Sequence, residues 1–368
     1  MRLLFVTLTG QGHITPTLPL VTELVRRGHQ VEYATEEPVG AGSTHVQLPK
    51  MQPDFPVGDN ILAAWLKHFF TSLSRTYPIL LDHCTNRRPD AIIYDTTNWP
   101  ARLVAEKLGI PAVRTVPHFA ANDAFPLHET MITGLDTTEI EAMCDRFSAE
   151  HGVPLDFAGT WEVPQRLNLV FLPRDFQPAV DSFDDRFRFI GPLLGDRAQE
   201  EWAPRGKPLL YISLGSVFTD IAFYRRCIEM FGDTDWHVAM TVGDAELGAV
   251  PSNFDIRPRF PQVAVLKQAS AFVTHGGMNS VMEALSHAVP LVVVPMTPEQ
   301  KSNADRVVEM GLGAQRGNDL KAAVAKVSTD PDVRANLDRM RAVIAKSGGA
   351  VRGADEIESY LKTPGHPS

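Results

Sequence analysis

The chain has 368 residues, which is more than one ordinary domain holds and suits two domains that each bury a core. Hydrophobic residues make up 44% of it and charged residues 21%, a balance typical of globular enzymes that argues against fibrous and disordered proteins. The formal net charge of −9 argues against a nucleic-acid partner, because binding the phosphate backbone needs a clustered excess of Lys and Arg.

The cysteines and the apolar segments bear on the cellular compartment. Cys84, Cys144 and Cys227 are far apart, odd in number and without metal-like spacing, so we expect them to be reduced and structural. The apolar start at 3–8 is too short for a signal peptide and has no cleavage site before Gly10. No later stretch approaches the roughly 20 apolar residues that cross a bilayer. We therefore expect a cytoplasmic protein without a membrane partner.

The first half alternates short apolar runs with helical periodicity. The pattern indicates a parallel sheet covered by helices on both faces, which is a doubly wound domain. Loops rich in Pro, Gly and Asp interrupt it from about 117 to 167, and we expect an insertion there near the mouth of the site. The predicted strands are 2–9, 30–34, 91–94 and 112–116, and the predicted helices are 15–27, 59–86, 99–108 and 128–151.

The same pattern begins again near Pro208, after a segment rich in Pro and Gly that is typical of a linker. We expect domains at 1–200 and 201–350, with a terminal helix in 351–368 that packs back on the first domain. Two such domains facing one another would form a cleft with donor and acceptor on opposite walls. The predicted strands here are 209–214, 238–242, 271–274 and 291–294, and the predicted helices are 220–231, 262–267, 278–286 and 300–310.

Two glycines, Gly276 and Gly277, separate the strand at 271–274 from the next helix. They let backbone amides approach a ligand where the helix dipole favours an anion, and a diphosphate suits that place. Ser280 in the first turn can donate to a phosphate. Asn279 and Glu283 are four residues apart and share a face, so Glu283 can accept from ribose hydroxyls one turn further on. The alternatives are a tight turn without a ligand and a dinucleotide site, where a carboxylate also contacts a ribose.

The segment from Arg259 to 313, together with Gly12-His13-Ile14-Thr15-Pro16, resembles the family 1 glycosyltransferases, in particular the bacterial macrolide and flavonoid enzymes of the two-domain GT-B fold. The resemblance covers nearly the whole chain. It implies that His275 contacts the β-phosphate, Ser280 the other phosphate, Glu283 the ribose, Gln262 the base, and Glu299 with Gln300 the sugar hydroxyls. The further donor-site positions that we expect are Gly12, Ser216, Gly243, Arg259, Phe260, Gly276, Gly277 and Asn279.

Arg259 departs from the family pattern, which often has an aromatic residue, commonly tryptophan, at this position. A guanidinium can still stack on a base. The pair Glu299-Gln300 resembles enzymes that use UDP-glucose more than those that use deoxysugars on dTDP. We therefore expect a UDP-sugar co-substrate, with a dTDP-sugar as the alternative, and no prosthetic group.

His13 and Asp95 are the candidate catalytic residues. Each follows a predicted strand at the carboxyl edge of the first sheet, where the imidazole can take the proton of an acceptor hydroxyl and the carboxylate can hold its tautomer. The resemblance implies the same dyad and an inverting displacement. The alternatives are a structural histidine and an aspartate that caps the next helix. No Asp-x-Asp pair stands in a loop placed for a divalent ion, so we expect no metal site.

Aromatic clustering suggests where the acceptor binds, and Trp65, Phe69, His118 and Phe119 are the candidates. The alternative for Trp65, Phe69 and the adjacent Phe70 is core packing, because their spacing also fits a buried helix face. The acceptor would be a small, largely apolar natural product such as a macrolide, a polyketide or a flavonoid, and the protein a monomer or homodimer.

Other functions stay open on the sequence alone. A nucleotide-sugar epimerase or a cell-wall-type transferase could use the same scaffold. A nicotinamide-dependent oxidoreductase is less suited, because the loop at 9–13 supplies only the first two glycines of the dinucleotide fingerprint. A non-catalytic sugar or nucleotide binder would give the His13–Asp95 pair no purpose.

Overall fold

The computed structural model describes residues 1–7, 10–50, 61–127, 132, 134–161, 163–195, 202–206, 208–215 and 219–363, with the backbone alone at 61–63 and 65. The chain divides into two compact units. One comprises Met1–Gly195 and Ser347–Ser368, and the other Asp196–Lys346. Within the described ranges, no helix combines the length and apolar character needed to cross a membrane.

The first unit contains a seven-stranded sheet whose described strand pairs are all parallel. In spatial order the strands are β3-β2-β1-β4-β5-β6-β7. The central strands β1, β4 and β5 are mostly buried and mostly apolar, as sheets covered on both faces require, although β5 also buries Arg114. The bounds are β1 (Arg2–Val6), β2 (Gln30–Thr35), β3 (Thr44–Gln47), β4 (Ala91–Asp95), β5 (Ala112–Val116), β6 (Asn168–Val170) and β7 (Phe187–Phe189).

Helices cover both faces of this sheet, and two hydrophobic clusters fill the space between helices and strands. Short 3₁₀ turns join several elements at Thr15–Thr17, Ala158–Thr160, Arg174–Phe176 and Val180–Ser182. The α-helices are α1 (Gln11–Ile14), α2 (Leu18–Arg26), α3 (Ile61–Ser74), α4 (Thr76–Arg87), α5 (Trp99–Leu108) and α6 (Thr138–His151).

Two predicted helices of the first unit were wrong in extent. The helix predicted at 59–86 is two helices that meet at Arg75, because Pro78 has no N–H to donate to the Ser74 carbonyl and its ring crowds that carbonyl. The helix predicted at 128–151 is interrupted: Leu127 and Ile132 are helical, residues 134–137 are not, and a helix begins again at Thr138, whose backbone N–H donates to the Asp136 side chain at 3.0 Å. The Asp136 turn lies in the break before the second helical segment, and 128–131 and 133 lie outside the described residues.

The second unit contains a six-stranded sheet, again with parallel pairing throughout its described strands. The spatial order is β10-β9-β8-β11-β12-β13. The strands are β8 (Leu209–Ser213), β9 (His237–Thr241), β10 (Phe254–Arg257), β11 (Ala271–Thr274), β12 (Leu291–Val293) and β13 (Gly313–Gln315). The helices are α7 (Ile221–Phe231), α8 (Gln262–Leu266), α9 (Met278–Ser286), α10 (Pro298–Glu309), α11 (Leu320–Thr329) and α12 (Pro331–Lys346).

The last helix, α13 (Gly349–Lys362), packs against α2 in the first unit. Gly353 allows the close approach, since a β-carbon there would lie 3.2 Å from Leu20. Ion pairs flank this contact: Arg27 contacts Asp355 at 2.7 Å and His29 contacts Glu358 at 2.9 Å. Apolar packing and ion pairs together attach the end of the chain to the first unit.

Each sheet has one place where the strand order reverses direction. In the first unit this place lies between β1 and β4, and in the second between β8 and β11. Ligands of open parallel sheets bind beyond the carboxyl ends of the strands at such a reversal. The residues that follow these four strands are therefore the expected positions of ligand contacts.

Candidate active site

His13 and Asp95 meet at the reversal point of the first sheet. His13 lies on α1, which follows β1, and Asp95 is the last residue of β4. His13 Nδ1 is 2.8 Å from Asp95 Oδ2, the Asp95 side chain is completely buried, and 27% of the His13 side chain is exposed. The structure thus brings together the two residues that the sequence proposed as a dyad.

Thr97 holds the other oxygen of the Asp95 carboxylate. Its hydroxyl and its backbone N–H both donate to Asp95 Oδ1, at 2.7 and 3.1 Å. Burial alone would raise the pKa of Asp95, but the charge of His13 and the hydrogen bonds from His13 and Thr97 hold that pKa below its ordinary value. Asp95 is therefore ionised, and since a carboxylate only accepts, His13 carries its proton on Nδ1 and presents Nε2 as the basic nitrogen.

Asp95 does not cap the helix that follows it, which was the alternative considered from the sequence. Asn98 occupies the N-cap position of α5, and its side-chain oxygen accepts from the backbone N–H of Ala101 at 3.3 Å. The cap function thus belongs to Asn98.

A buried hydrogen-bonded group supports the turn that carries His13. The Thr17 hydroxyl donates to the carbonyl of Ile14, the residue after His13, at 2.7 Å. The Tyr33 hydroxyl lies 2.6 Å from Thr17 Oγ1 and 3.2 Å from Thr7 Oγ1. These side chains connect the turn to β2 and to the residue after β1, a role that local sequence spacing does not reveal.

The predicted acceptor residues are mostly core residues. Phe119 is fully buried and stacks on Phe176 with ring centroids 5.6 Å apart, so it presents no surface to an acceptor in this conformation. His118 is also buried, and its Nδ1 lies 2.8 Å from the Phe119 carbonyl oxygen. Phe69 is half-buried and packs on the cluster between helices and sheet. Trp65 lies on α3, and its side chain is outside the described residues.

Phe70, the neighbour of Phe69, shows the core packing that the sequence left open. It is buried and stacks on Trp99 with ring centroids 5.3 Å apart. Part of this helix face is therefore interior.

His275 lies at the reversal point of the second sheet, where its ring is enclosed by two glycines. A β-carbon on Gly215, which follows β8, would lie 2.7 Å from His275 Cε1. A β-carbon on Gly277 would lie 2.6 Å from His275 Nε2. Real side chains do not approach so closely, so the ring position depends on both glycines. Gly215 was missed as a site residue, although its place after a buried strand is a visible signal.

Burial makes His275 a neutral side chain. It lowers the pKa of His275 to about 4, against the opposing effects of the Glu299 charge and a hydrogen bond to the Ser213 backbone. A neutral imidazole brings no net positive charge and has one N–H to donate, and the hydrogen bond to the Ser213 backbone uses that N–H here. Because Glu299 acts on His275 through its charge, the structure also places the predicted sugar-binding carboxylate near the predicted phosphate-binding ring.

A hydrogen bond from Asn303 on α10 holds the loop that follows β11. The Asn303 side chain is fully buried and donates to the Gly276 carbonyl at 2.8 Å. The Gly276 N–H in turn donates to Thr274 Oγ1 at 3.2 Å. Gly277, the N-cap residue of α9, has no side chain to cap the helix, so the backbone amides of the first turn are oriented for an anion.

Gln262, Ser280 and Glu283 form one hydrogen-bonded group. Gln262 Nε2 donates to Ser280 Oγ at 3.1 Å and to Glu283 Oε2 at 2.8 Å. These contacts use both hydrogens of the Gln262 amide. The sequence expected Gln262 to contact the base, whereas here its donors are directed to the predicted phosphate and ribose residues. No local sequence pattern predicts this group, because its members lie on α8 and α9, which come together only in the folded protein.

The remaining donor positions have varied surroundings. Gln300 is buried, and its Oε1 accepts from the Met296 backbone N–H at 2.8 Å, which holds the loop before α10. Arg259 is exposed. Phe260 is buried, and the guanidinium that covers its ring at 4.9 Å belongs to Arg257.

The structure shows few contacts at three further predicted donor positions, Gly243, Gly12 and Ser216. Gly243 follows β9 with a φ of +59°, and its N–H donates to the Pro258 carbonyl at 3.2 Å. Gly12 is an exposed residue of α1, and Ser216 lies outside the described residues. In the part of the chain that the structure describes, no group of three or more His, Cys, Asp or Glu side chains is arranged to hold a metal ion.

Comparison with known proteins identifies the family. Residues 225–348 match the model of the C-terminal domain of proteins like the erythromycin biosynthesis protein CIII. The chain is 36% identical to the NDP-glycosyltransferase YjiC of Bacillus subtilis (strain 168), over 98% of both chains. The chain belongs to the bacterial natural-product glycosyltransferases of family 1.

This glycosyltransferase has further relatives of the same kind. It is 32% identical to the demethyllactenocin mycarosyltransferase of Streptomyces fradiae, over 97% of its own length and 86% of that relative. The crystal structure of the glycotransferase of kitacinnamycin matches with a TM-score of 0.85 and 33% identity, over 97% of this chain and 98% of that chain. These matches confirm the predicted α/β fold with two Rossmann-like domains of GT-B type, and family membership sets aside the nicotinamide-dependent oxidoreductase.

Proposed function

We propose that this glycosyltransferase moves glucose from UDP-glucose to a hydroxyl of a hydrophobic natural product, such as a macrolide, a polyketide or a flavonoid, with inversion at the anomeric carbon. The hydrogen bond of 2.8 Å between His13 Nδ1 and the buried Asp95 carboxylate carries the proposal, because it presents Nε2 as a base. The relative named as an NDP-glycosyltransferase supports a nucleotide-sugar donor.

The chemical step is a single displacement. His13 Nε2 takes the proton of the acceptor hydroxyl as the hydroxyl oxygen forms a bond to the anomeric carbon of the sugar. The bond between that carbon and the β-phosphate oxygen breaks, and UDP leaves with the electron pair. Asp95 stabilises the imidazolium that forms on His13, as the carboxylate of a catalytic triad does. One displacement from the opposite face inverts the configuration.

The second unit would hold the donor. The backbone amides at the start of α9 donate to the diphosphate, whose negative charge grows as the bond breaks, and His275 contacts its β-phosphate. Ser280 accepts from Gln262, so its own hydroxyl proton can be donated to a phosphate oxygen. Glu283 accepts from the ribose hydroxyls, and Glu299 with Gln300 contacts the sugar.

A donor and acceptor panel tests the proposal. The protein is incubated with UDP-glucose, UDP-GlcNAc or dTDP-glucose and a set of macrolide, polyketide and flavonoid aglycones, and products are identified by mass spectrometry. We expect a glycosylated aglycone only when donor and acceptor are both present, with UDP-glucose the best donor. A higher yield from dTDP-glucose would contradict the nucleotide assignment, and an epimer formed from UDP-GlcNAc alone would contradict the transfer reaction.

A further inference from the structure

A continuous chain of hydrogen bonds runs from β9 to the predicted ribose-binding carboxylate. The Thr241 hydroxyl lies 3.2 Å from the Tyr211 hydroxyl, which donates to Gln262 Oε1 at 3.3 Å. Gln262 Nε2 then donates to Glu283 Oε2 at 2.8 Å and to Ser280 Oγ. This series of hydrogen bonds connects four elements of the second unit, β9, β8, α8 and α9.

The direction of every donor in this chain is determined by its last member. A carboxylate only accepts, so the NH₂ group of Gln262 must face Glu283 and the amide oxygen must face Tyr211. The Tyr211 proton is therefore used toward Gln262, and Thr241 must donate to the Tyr211 oxygen. All the donors point toward Glu283, which is the arrangement in which neighbouring hydrogen bonds polarise one another.

Tyr211 is well placed to act as a fixed donor. Its side chain is 1% exposed, and its ring stacks on Phe272 with centroids 4.8 Å apart and meets the edge of Phe260. Burial raises the pKa of Tyr211 to about 12, so the hydroxyl keeps its proton at neutral pH. The aromatic contacts fix the ring while the hydroxyl reaches the Gln262 amide.

We infer that Tyr211 is a positioning residue for ribose recognition: through Gln262 it fixes the Glu283 carboxylate in the orientation that accepts the ribose hydroxyls. The inference rests on the proposed function, in which Glu283 binds the ribose. Without the Tyr211 hydroxyl, the Gln262 amide oxygen loses its hydrogen-bond donor, and the amide that donates to Glu283 is held less firmly in place. Tyr211 would thereby determine how strongly the site prefers a ribonucleotide to a 2′-deoxyribonucleotide.

The test compares the dissociation constants of UDP and 2′-deoxy-UDP by calorimetry with the full chain. We expect the native protein to prefer UDP. Tyr211→Phe keeps the aromatic contacts and should weaken UDP about tenfold and 2′-deoxy-UDP only about twofold, the size expected from impairing one hydrogen bond to a carboxylate. A purely structural role would weaken both nucleotides equally, and that result would overturn the inference.

Two further substitutions leave Tyr211 in place. Thr241→Val removes one donor to the Tyr211 oxygen, which the Ser213 side chain also hydrogen-bonds, and should reduce the preference for UDP. Thr241→Ser keeps the Thr241 donor and should retain the native preference. Tyr224→Phe is the matched control, because Tyr224 is a buried tyrosine of α7 in the core of the same unit, and it should leave the ratio unchanged. Equal ratios in Thr241→Val and Thr241→Ser would also overturn the inference.

Binding by the native protein distinguishes failure of the proposed function from failure of the inference about Tyr211. If it binds no UDP, or binds UDP and 2′-deoxy-UDP equally, the donor-site assignment in the proposed function fails and the inference fails with it. If it prefers UDP and Tyr211→Phe keeps that preference, the inference alone fails.

Discussion

The ring of His275 rests against the α-carbon of Gly215, so closely that a methyl group on Gly215 would lie 2.7 Å from the ring carbon Cε1. Gly215 also has a φ of +82°, which side chains other than that of glycine rarely adopt. The position of the predicted phosphate-binding histidine therefore requires that the residue after the neighbouring strand, Gly215, has no side chain.

Gly215→Ala should displace the His275 ring and weaken UDP binding by at least about tenfold, with a loss of about 1–3 kcal/mol in the free energy of unfolding from backbone strain. Isothermal calorimetry and urea denaturation measure the two effects. Gly248→Ala is the matched control, because Gly248 has a φ of +77° and open space at its β-position. It should lose stability alone, and equal losses of UDP affinity in both variants would contradict the role of Gly215.

Thr97→Val should lower kcat/KM about tenfold while leaving the dissociation constant of UDP unchanged. The reason is that the Thr97 hydroxyl holds Asp95 Oδ1 at 2.7 Å, and without it the carboxylate is less firmly directed at His13. Thr97→Ser retains the hydroxyl and should keep most of the activity. The two variants are compared in steady-state rates of UDP release, and equal rates would show that the hydroxyl does not position Asp95.

The unfolding free energy should depend on pH through His275. Its pKa in the folded protein is about 4 and its ordinary value 6.5, so between these values the unfolded chain binds more protons. Stability therefore falls as the pH is lowered from 6.5 toward 4, by at most about 1.4 kcal/mol per pH unit from this group, and is independent of it above 6.5.

Urea denaturation of the native protein and of His275→Gln between pH 4.5 and 7.5 checks this dependence. Gln cannot titrate, so the difference between the two unfolding free energies should change over the acidic range and level off above pH 6.5. A constant difference across the whole range would contradict a buried, neutral His275.

The sequence predicted the buried central strands better than the edges of the sheets. β1, β4, β8 and β11 were found because each is a run of apolar residues. β3 was missed because its residues are polar and partly exposed, and β13 because it has three half-buried residues. Short or edge strands carry no apolar run, since one side or end of them faces solvent.

In the site, too, residues in local sequence motifs could be predicted, whereas residues that act through partners distant in sequence could not. His13, His275 and Glu283 were placed by motifs that follow a strand or begin a helix, which local spacing reveals. Thr97 and Tyr211 act through hydrogen bonds whose partners are fixed by the fold. Arg259 was expected to replace an aromatic platform for the base, and that stays a prediction; the guanidinium over Phe260 is that of Arg257 at the end of β10, a contact that no local pattern reveals.

The most direct test of the account is the activity of His13→Ala with a UDP-sugar donor and an acceptor from the panel. General-base catalysis contributes about 10²- to 10⁴-fold to a rate, so we predict that formation of the glycoside falls by at least about 100-fold while the dissociation constant of UDP stays within about twofold of the native value. Turnover at the native rate in His13→Ala would contradict the assignment of His13 as the base.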